Sequence, residues 1–181
     1  GLYGPMGTGM LIASSTSGLD TLIEGGTGTE SRLMRQPDSW PERMESGTPN
    51  LPGIAGLRAG IEFVKKKGTE RIYQHELKLT ASLYDRLSQM PGVILYTERP
   101  QAPYYAPVLS FNIRGIPSEE AGRLLDQKGF AVRPGLHCAP AAHTFAGTSD
   151  LGAVRVCPSA FTTPNEIVSF AHAVGKISPK S

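Results

Sequence analysis

An α+β sandwich, helices laid on a small sheet, is the fold class this sequence predicts, on three observations. From residue 69 onward, helical spacing alternates with short apolar runs. Two neighbouring stretches, Leu51–Lys67 and residues 69–90, carry apolar side chains at helical intervals. Glycine and proline, 21 and 15 among 181 residues, crowd the first part of the chain, which reads as loop-rich surface made to lie against something else. Two parts are therefore expected, residues 1–68 and residues 69–181.

Taken in order, residues 9–14 place four apolar side chains in a row after glycine and read as a buried strand. Residues 25–28 (Gly-Gly-Thr-Gly) and 36–41 read as loops. The glycines could cradle a phosphate through backbone N–H groups, but so short a run is more simply a connection. Leu51–Lys67 has Ile54, Leu57, Ile61 and Val64 at helical spacing, and Gly68 stops it. A second helix over 69–90 has Ile72, Leu79, Leu83 and Leu87 on one side and is ended by Pro91-Gly92. Residues 93–96 and 108–113 read as strands. A helix opening at Ser118 contains Leu124 and Leu125 and is closed by Gly129. Residues 130–133 and 154–157 read as two more short strands. Thr163-Pro-Asn-Glu166 is a capping box with proline at the first helical position, and it opens a last helix to about residue 177. No internal repeat is present.

Charge and composition exclude several functions. A net charge of +2 gives no basic face for nucleic acid. The run Lys65-Lys66-Lys67 falls at a helix C-terminus, where positive charge suits the dipole without a partner. No apolar run approaches the length of a membrane span, and no signal peptide is expected. Two cysteines make no disulfide framework. His75, His137, His143 and His172 show no ligand spacing with them, so no metal is expected.

Arg133-Pro-Gly-Leu-His-Cys138-Ala-Pro carries the most chemistry. It puts a thiol beside an imidazole, five residues after a fixed positive charge, in a turn stiffened by two prolines and a glycine. A cysteine reacts as its thiolate, and neighbouring cations favour that form. His137 and Arg133 could both act in this way. Standing alone, the His-Cys pair fits an idle cysteine in an ordinary loop as well. Cys157, among apolar neighbours, reads as an inert core thiol. His75 and His172 read as packing or surface residues within helices, and His143 as a loop residue without a role.

The thiol segment resembles the reactive loop of the pyridoxal-phosphate-dependent cysteine desulfurases and selenocysteine lyases, a branch of the class V aminotransferases. Three further segments agree in order. Gly1-Leu-Tyr-Gly-Pro-Met-Gly-Thr-Gly9 resembles the stretch after the Schiff-base lysine. Arg43-Met-Glu-Ser-Gly-Thr-Pro-Asn50 resembles the family's Arg-x-Glu-x-Gly-Thr-x-Asn loop. Ala153-Val-Arg-Val-Cys157 resembles the strand whose arginine holds the substrate carboxylate. The resemblance runs from residue 1 to about residue 178. It implies the small C-terminal domain of the type I pyridoxal-phosphate transferase fold, preceded by the tail end of the large domain.

The resemblance also implies roles. Cys138, with His137, would be catalytic and take sulfur from the substrate as a persulfide. Arg155, and Arg133 beside it, would bind the amino-acid substrate; a guanidinium matches a carboxylate with two parallel hydrogen bonds. Thr48, with Gly47, would reach the phosphate of pyridoxal 5'-phosphate in the other subunit of a cytoplasmic homodimer. A protein sulfur acceptor is a further partner. Read alone, Arg155 fits a surface ion pair equally, and Thr48 fits a turn threonine before Pro49.

One departure matters. The first residue falls just after the position of the family's lysine, and Lys65, Lys66, Lys67, Lys78, Lys128, Lys176 and Lys180 sit in no matching context. The chain is therefore expected to be the C-terminal half of a larger enzyme, inactive alone. The alternative is a non-catalytic domain or dimerisation module that keeps the fold without turnover. A Cys-His hydrolase is disfavoured because no Asn or Asp partner to orient the histidine is evident.

Overall fold

The structure, a computed structural model, describes residues 2–15, 18–26, 28, 30 and 32–178. Gly1 and Lys180, and Thr27 of the glycine loop, lie outside the described residues. The chain divides into two compact units, Gly1–Lys67 and Gly68–Ser181.

In the first unit, regular structure begins with a single 3-10 turn at Glu42–Met44, followed by α1, Leu51–Lys67. Asn50 starts α1: its side-chain oxygen accepts the Gly53 N–H at 3.1 Å, satisfying one of the donors a helix leaves open at its first turn. The helix buries Gly53, Leu57 and Gly60, while Ile54 is exposed. The buried stripe is thus richer in glycine than the apolar spacing indicated. Glycine is needed because residues 2–5 lie close against it: a Cβ at Gly56 would sit 2.6 Å from the Pro5 ring at Cγ, and one at Gly60 would sit 2.9 Å from the Tyr3 carbonyl carbon. Residues 9–14 do not form the expected strand, and Met10, Leu11 and Ile12 are exposed. An apolar run becomes a strand only where another strand takes its backbone hydrogen bonds. No described residue of this unit does so.

The second unit follows the element order α2 (Thr69–Leu87), β1 (Val93–Leu95), β2 (Leu109–Ile113), α3 (Ser118–Asp126), α4 (Pro140–Ala146), β3 (Val154–Val156) and α5 (Pro164–Ile177). The three strands form an antiparallel sheet in the order β1-β2-β3, with Val93 opposite Ile113 and Leu109 opposite Val156. Period-two alternation sends Leu109, Phe111 and Ile113 into the core. Leu79, Leu83 and Leu87 of α2, Leu125 of α3 and Phe170 and Val174 of α5 meet them there. Phe170 is packed edge-on by both Phe111 and Phe130, at centroid distances of 6.2 and 5.3 Å. Truncating a buried aromatic of this kind costs about 3–5 kcal/mol.

The last helix begins as its sequence indicates: Thr163 Oγ1 accepts from Glu166 N, while Glu166 reaches back to Thr163 N at 2.7 Å. Two elements differ. Residues 130–133 form no strand, only an isolated antiparallel bridge between Arg133 and Arg155. The segment 140–146, read as loop, is a helix.

Candidate active site

The thiol loop hangs from β3. Arg133 N–H donates to Arg155 O at 3.2 Å, Arg155 N–H to Arg133 O at 2.8 Å, and Ala153 N–H to Gly135 O at 3.1 Å. Gly152 lies so near Gly135 that a Cβ there would meet the Gly135 Cα at 2.7 Å. Asn112 of β2 holds the same turn from behind, its Nδ2 donating to Gly152 O at 2.8 Å. Pro134 packs on Gly122 of α3. With its stem fixed, the loop turns at Leu136, whose carbonyl accepts the Ala139 N–H at 2.9 Å.

The two residues inside that turn, His137 and Cys138, have φ of 54° and 57°. Side-chain-bearing residues adopt this left-handed region at a cost, and consecutive cases mark backbone held for a purpose. Cys138 is exposed, and Arg133 Nη2 donates to its Sγ at 3.6 Å. The guanidinium is therefore the cation that meets the sulfur.

His137 plays a different part from the one its sequence neighbourhood suggested. Its pKa is pushed below the ordinary histidine value, by burial first and by the Arg155 guanidinium next, with His143 and Arg133 adding to the effect. The Ala153 backbone opposes this without meeting hydrogen-bond geometry, and both ring nitrogens are buried without a partner. The imidazole is thus biased towards its neutral form and does not act as a second cation.

Arg155 sits on β3 opposite Ser110, between the core residues Val154 and Val156, so it faces away from the core. It is half-buried, and its Nε is buried without a partner among the described residues. A donor left in that state favours an anion from outside. Its other neighbour is Cys157. Contrary to expectation Cys157 is exposed, since alternation from Val154 and Val156 turns it to the outward face that Arg155 occupies. Desolvation by its surroundings still pushes that thiol's pKa up, against a lowering by Arg155.

Sequence reasoning missed α4 and His143. Pro140 at the first helical position and Gly147 just past the end, at φ 66°, were the available signals. His143 is buried, its ring 5.4 Å from that of His137. His75, by contrast, bonds Thr162 O at 2.9 Å and belongs to the packing of α2.

Gly47 and Thr48 lie in the first unit, in a segment pinned at both ends. Arg43 forms ion pairs with Asp38 and Asp20, each at 3.0 Å, and Asn50 caps α1. Gly47 has φ 82°, and its N–H donates to Gly26 O at 3.0 Å. Thr48 is exposed, and among the described residues its hydroxyl has no hydrogen-bond partner. The structure thus joins Arg133, His137, Cys138 and Arg155 in one cluster of the second unit, while Gly47 and Thr48 belong to the first unit.

The chain is similar to known proteins along most of its length. A probable cysteine desulfurase of Xylella fastidiosa is 33% identical over 97% of this chain, and one of Methanothermobacter thermautotrophicus is 34% identical over 92%. The chain spans 42% of the length of each. Among solved structures, a cysteine desulfurase of Thermococcus onnurineus superposes with a TM-score of 0.68 at 32% identity, covering 76% of this chain and 33% of that one. The family model for aminotransferase class-V matches residues 2–170, and the chain belongs to that family.

Proposed function

We propose that this chain is the C-terminal portion of a pyridoxal-phosphate-dependent cysteine desulfurase-like enzyme, which removes sulfur from cysteine, or selenium from selenocysteine, and leaves alanine. The observation that carries the reading is the thiol turn, in which an exposed Cys138 in left-handed backbone lies 3.6 Å from a guanidinium nitrogen and next to a neutral imidazole. The similarity to cysteine desulfurases supports the same chemistry.

Each residue has a defined task. Arg155, with its unpartnered Nε, takes the substrate carboxylate, and Arg133 holds negative charge on the Cys138 sulfur. The Cys138 thiolate attacks the substrate sulfur. An S–S bond forms on Sγ, the substrate's C–S bond breaks, and the carbon keeps the bonding electrons and takes up a proton to end as alanine. His137 shares the left-handed turn that presents the Cys138 sulfur, and its lowered pKa keeps it from competing with Arg133 as a cation. Pyridoxal phosphate, when bound, supplies the electron sink for the bonds at the substrate's α-carbon. Thr48 would hold its phosphate through an exposed, uncommitted hydroxyl. Gly47 has already given its N–H to Gly26 and contributes backbone shape instead of a donor. The reading includes a cytoplasmic homodimer in which this pair serves the other subunit, and a protein that accepts the sulfur.

The test is made on the complete enzyme supplied with cofactor and cysteine. Peptide mass spectrometry should find one added sulfur atom on Cys138 during turnover, and Cys138→Ala should abolish both that adduct and sulfur release. Full sulfur release from Cys138→Ala would overturn the reading.

A further inference from the structure

His143 is the buried histidine among the described residues, and no step above uses it. Its place follows from how α4 ends. Thr148 N–H donates to His143 O at 2.8 Å and Gly147 N–H to Thr144 O at 3.3 Å, the crossed pair of bonds that closes a helix through a left-handed glycine. That closure folds Thr148 back along the helix, where its buried hydroxyl meets His143 Nδ1 at 2.7 Å. The ring so fixed lies against His137, the planes tilted by 39°. Among the described residues the His137 ring has no hydrogen-bond partner to set its orientation. The charged or titratable groups facing it are His143 from α4, Arg155 from β3 and Arg133 from the loop stem. Of these, His143 is the one packed ring against ring on it.

We propose that His143, fixed by Thr148, is a positioning residue for the thiol turn. It backs the His137 ring and so maintains the left-handed backbone that keeps the Cys138 sulfur beside Arg133. The inference rests on reading Cys138 as the reactive thiol, and it adds a two-residue support that the motif itself does not contain. Strained backbone persists only where its surroundings over-determine it, and on the α4 side this pair supplies that constraint.

The test uses the 181-residue chain with three variants: His143→Gln, Thr148→Val, which keeps the side-chain shape and removes the hydroxyl, and Thr148→Ser, which restores a hydroxyl. Two quantities are read, the iodoacetamide alkylation rates of Cys138 and Cys157 at neutral pH by peptide mapping, and the NMR titration of His137. In His143→Gln and Thr148→Val, Cys138 should react roughly three- to tenfold more slowly, the factor expected for losing one charge-assisted contact at an exposed position. Cys157 should be unaffected, and His137 should titrate nearer the ordinary histidine value. Thr148→Ser should behave as the unsubstituted chain. Unchanged Cys138 kinetics and His137 titration in Thr148→Val, whatever its melting temperature, would overturn the proposal. An equal change at both cysteines would overturn it too, since that is general loosening. Neither readout involves sulfur transfer. A complete enzyme that forms no persulfide would therefore sink the proposed function and leave this coupling standing.

Discussion

Replacing Gly152 by alanine tests how tightly the thiol loop is held to its sheet. Gly152 has φ 61°, and a Cβ built there would lie 2.7, 2.8 and 2.9 Å from the Cα, carbonyl carbon and oxygen of Gly135. Two costs follow. Alanine in left-handed backbone is disfavoured by about 1–2 kcal/mol. The methyl meets backbone on the far side, so something must move, and overpacking of this kind costs about 1–3 kcal/mol more. The neighbours cannot yield freely, because Gly152 O is held by Asn112, Gly152 N–H by Thr148 O at 2.8 Å, and Gly135 O by Ala153. The expected destabilisation is about 2–5 kcal/mol. At roughly 4 °C per kcal/mol for a unit of this size, the melting temperature should fall by about 8–20 °C. Gly129→Ala is the matched control: its φ is 82° with nothing within 4 Å of the added carbon, so only the backbone term of about 1–2 kcal/mol applies. Scanning calorimetry on the two variants measures the difference, and alkylation of Cys138 reports whether the loop has moved. Equal losses in the two variants would show that the contact between Gly152 and Gly135 is slack and that the loop is not braced there.

Three further outcomes are expected. At neutral pH, iodoacetamide should modify Cys138 well before Cys157, and Cys157 should gain rate as pH rises beyond the ordinary thiol range, because desolvation raises its pKa; equal rates at pH 7 would remove the basis for separating the two thiols. His137 has a folded pKa below its ordinary 6.5, so the unfolded chain takes up a proton first as pH falls. The stability it contributes is full above about pH 6.5 and is lost as pH drops through the folded value, above the range where Asp85, Glu120 and Glu166 act; denaturant titrations of His137→Asn between pH 5 and 7 should show a flatter profile, and an unchanged slope would refute the assignment. In the complete enzyme, Arg155→Lys should weaken amino-acid binding about tenfold to a hundredfold while the cofactor's absorbance survives, since a point charge cannot copy the guanidinium fork; loss of the cofactor would contradict its assignment to substrate.

What the sequence disclosed depended on how local the cause was. Thr163 and Glu166 make their capping box within four residues, so α5 could be placed from the letters alone. Leu109, Phe111 and Ile113 announce a half-buried strand by alternation. The thiol segment showed its chemistry through composition, but the division of labour inside it did not show. That His137 is held neutral while Arg133 meets the sulfur depends on burial and on Arg155, 18 positions along the chain from His137. The face of α1 was legible only through Leu57, because the other residues it buries, Gly53 and Gly60, carry no apolar signal. Residues 9–14 have strand composition, yet composition cannot supply a pairing strand. Cys157 was misplaced because its apolar neighbours suggested burial, whereas alternation from Val154 and Val156 turns it outward with Arg155.

The bridge between Arg133 and Arg155 has a consequence beyond chemistry. β3 is a border strand of the sheet, and an uncovered border offers its N–H and C=O groups to any other chain, which is a route to aggregation. Arg133 and Gly135 occupy those groups on Arg155 and Ala153. The segment that carries the reactive sulfur is therefore also the cover of an open sheet margin. Substitutions that free this segment should make the protein sticky as well as unreactive, and the two defects should appear together.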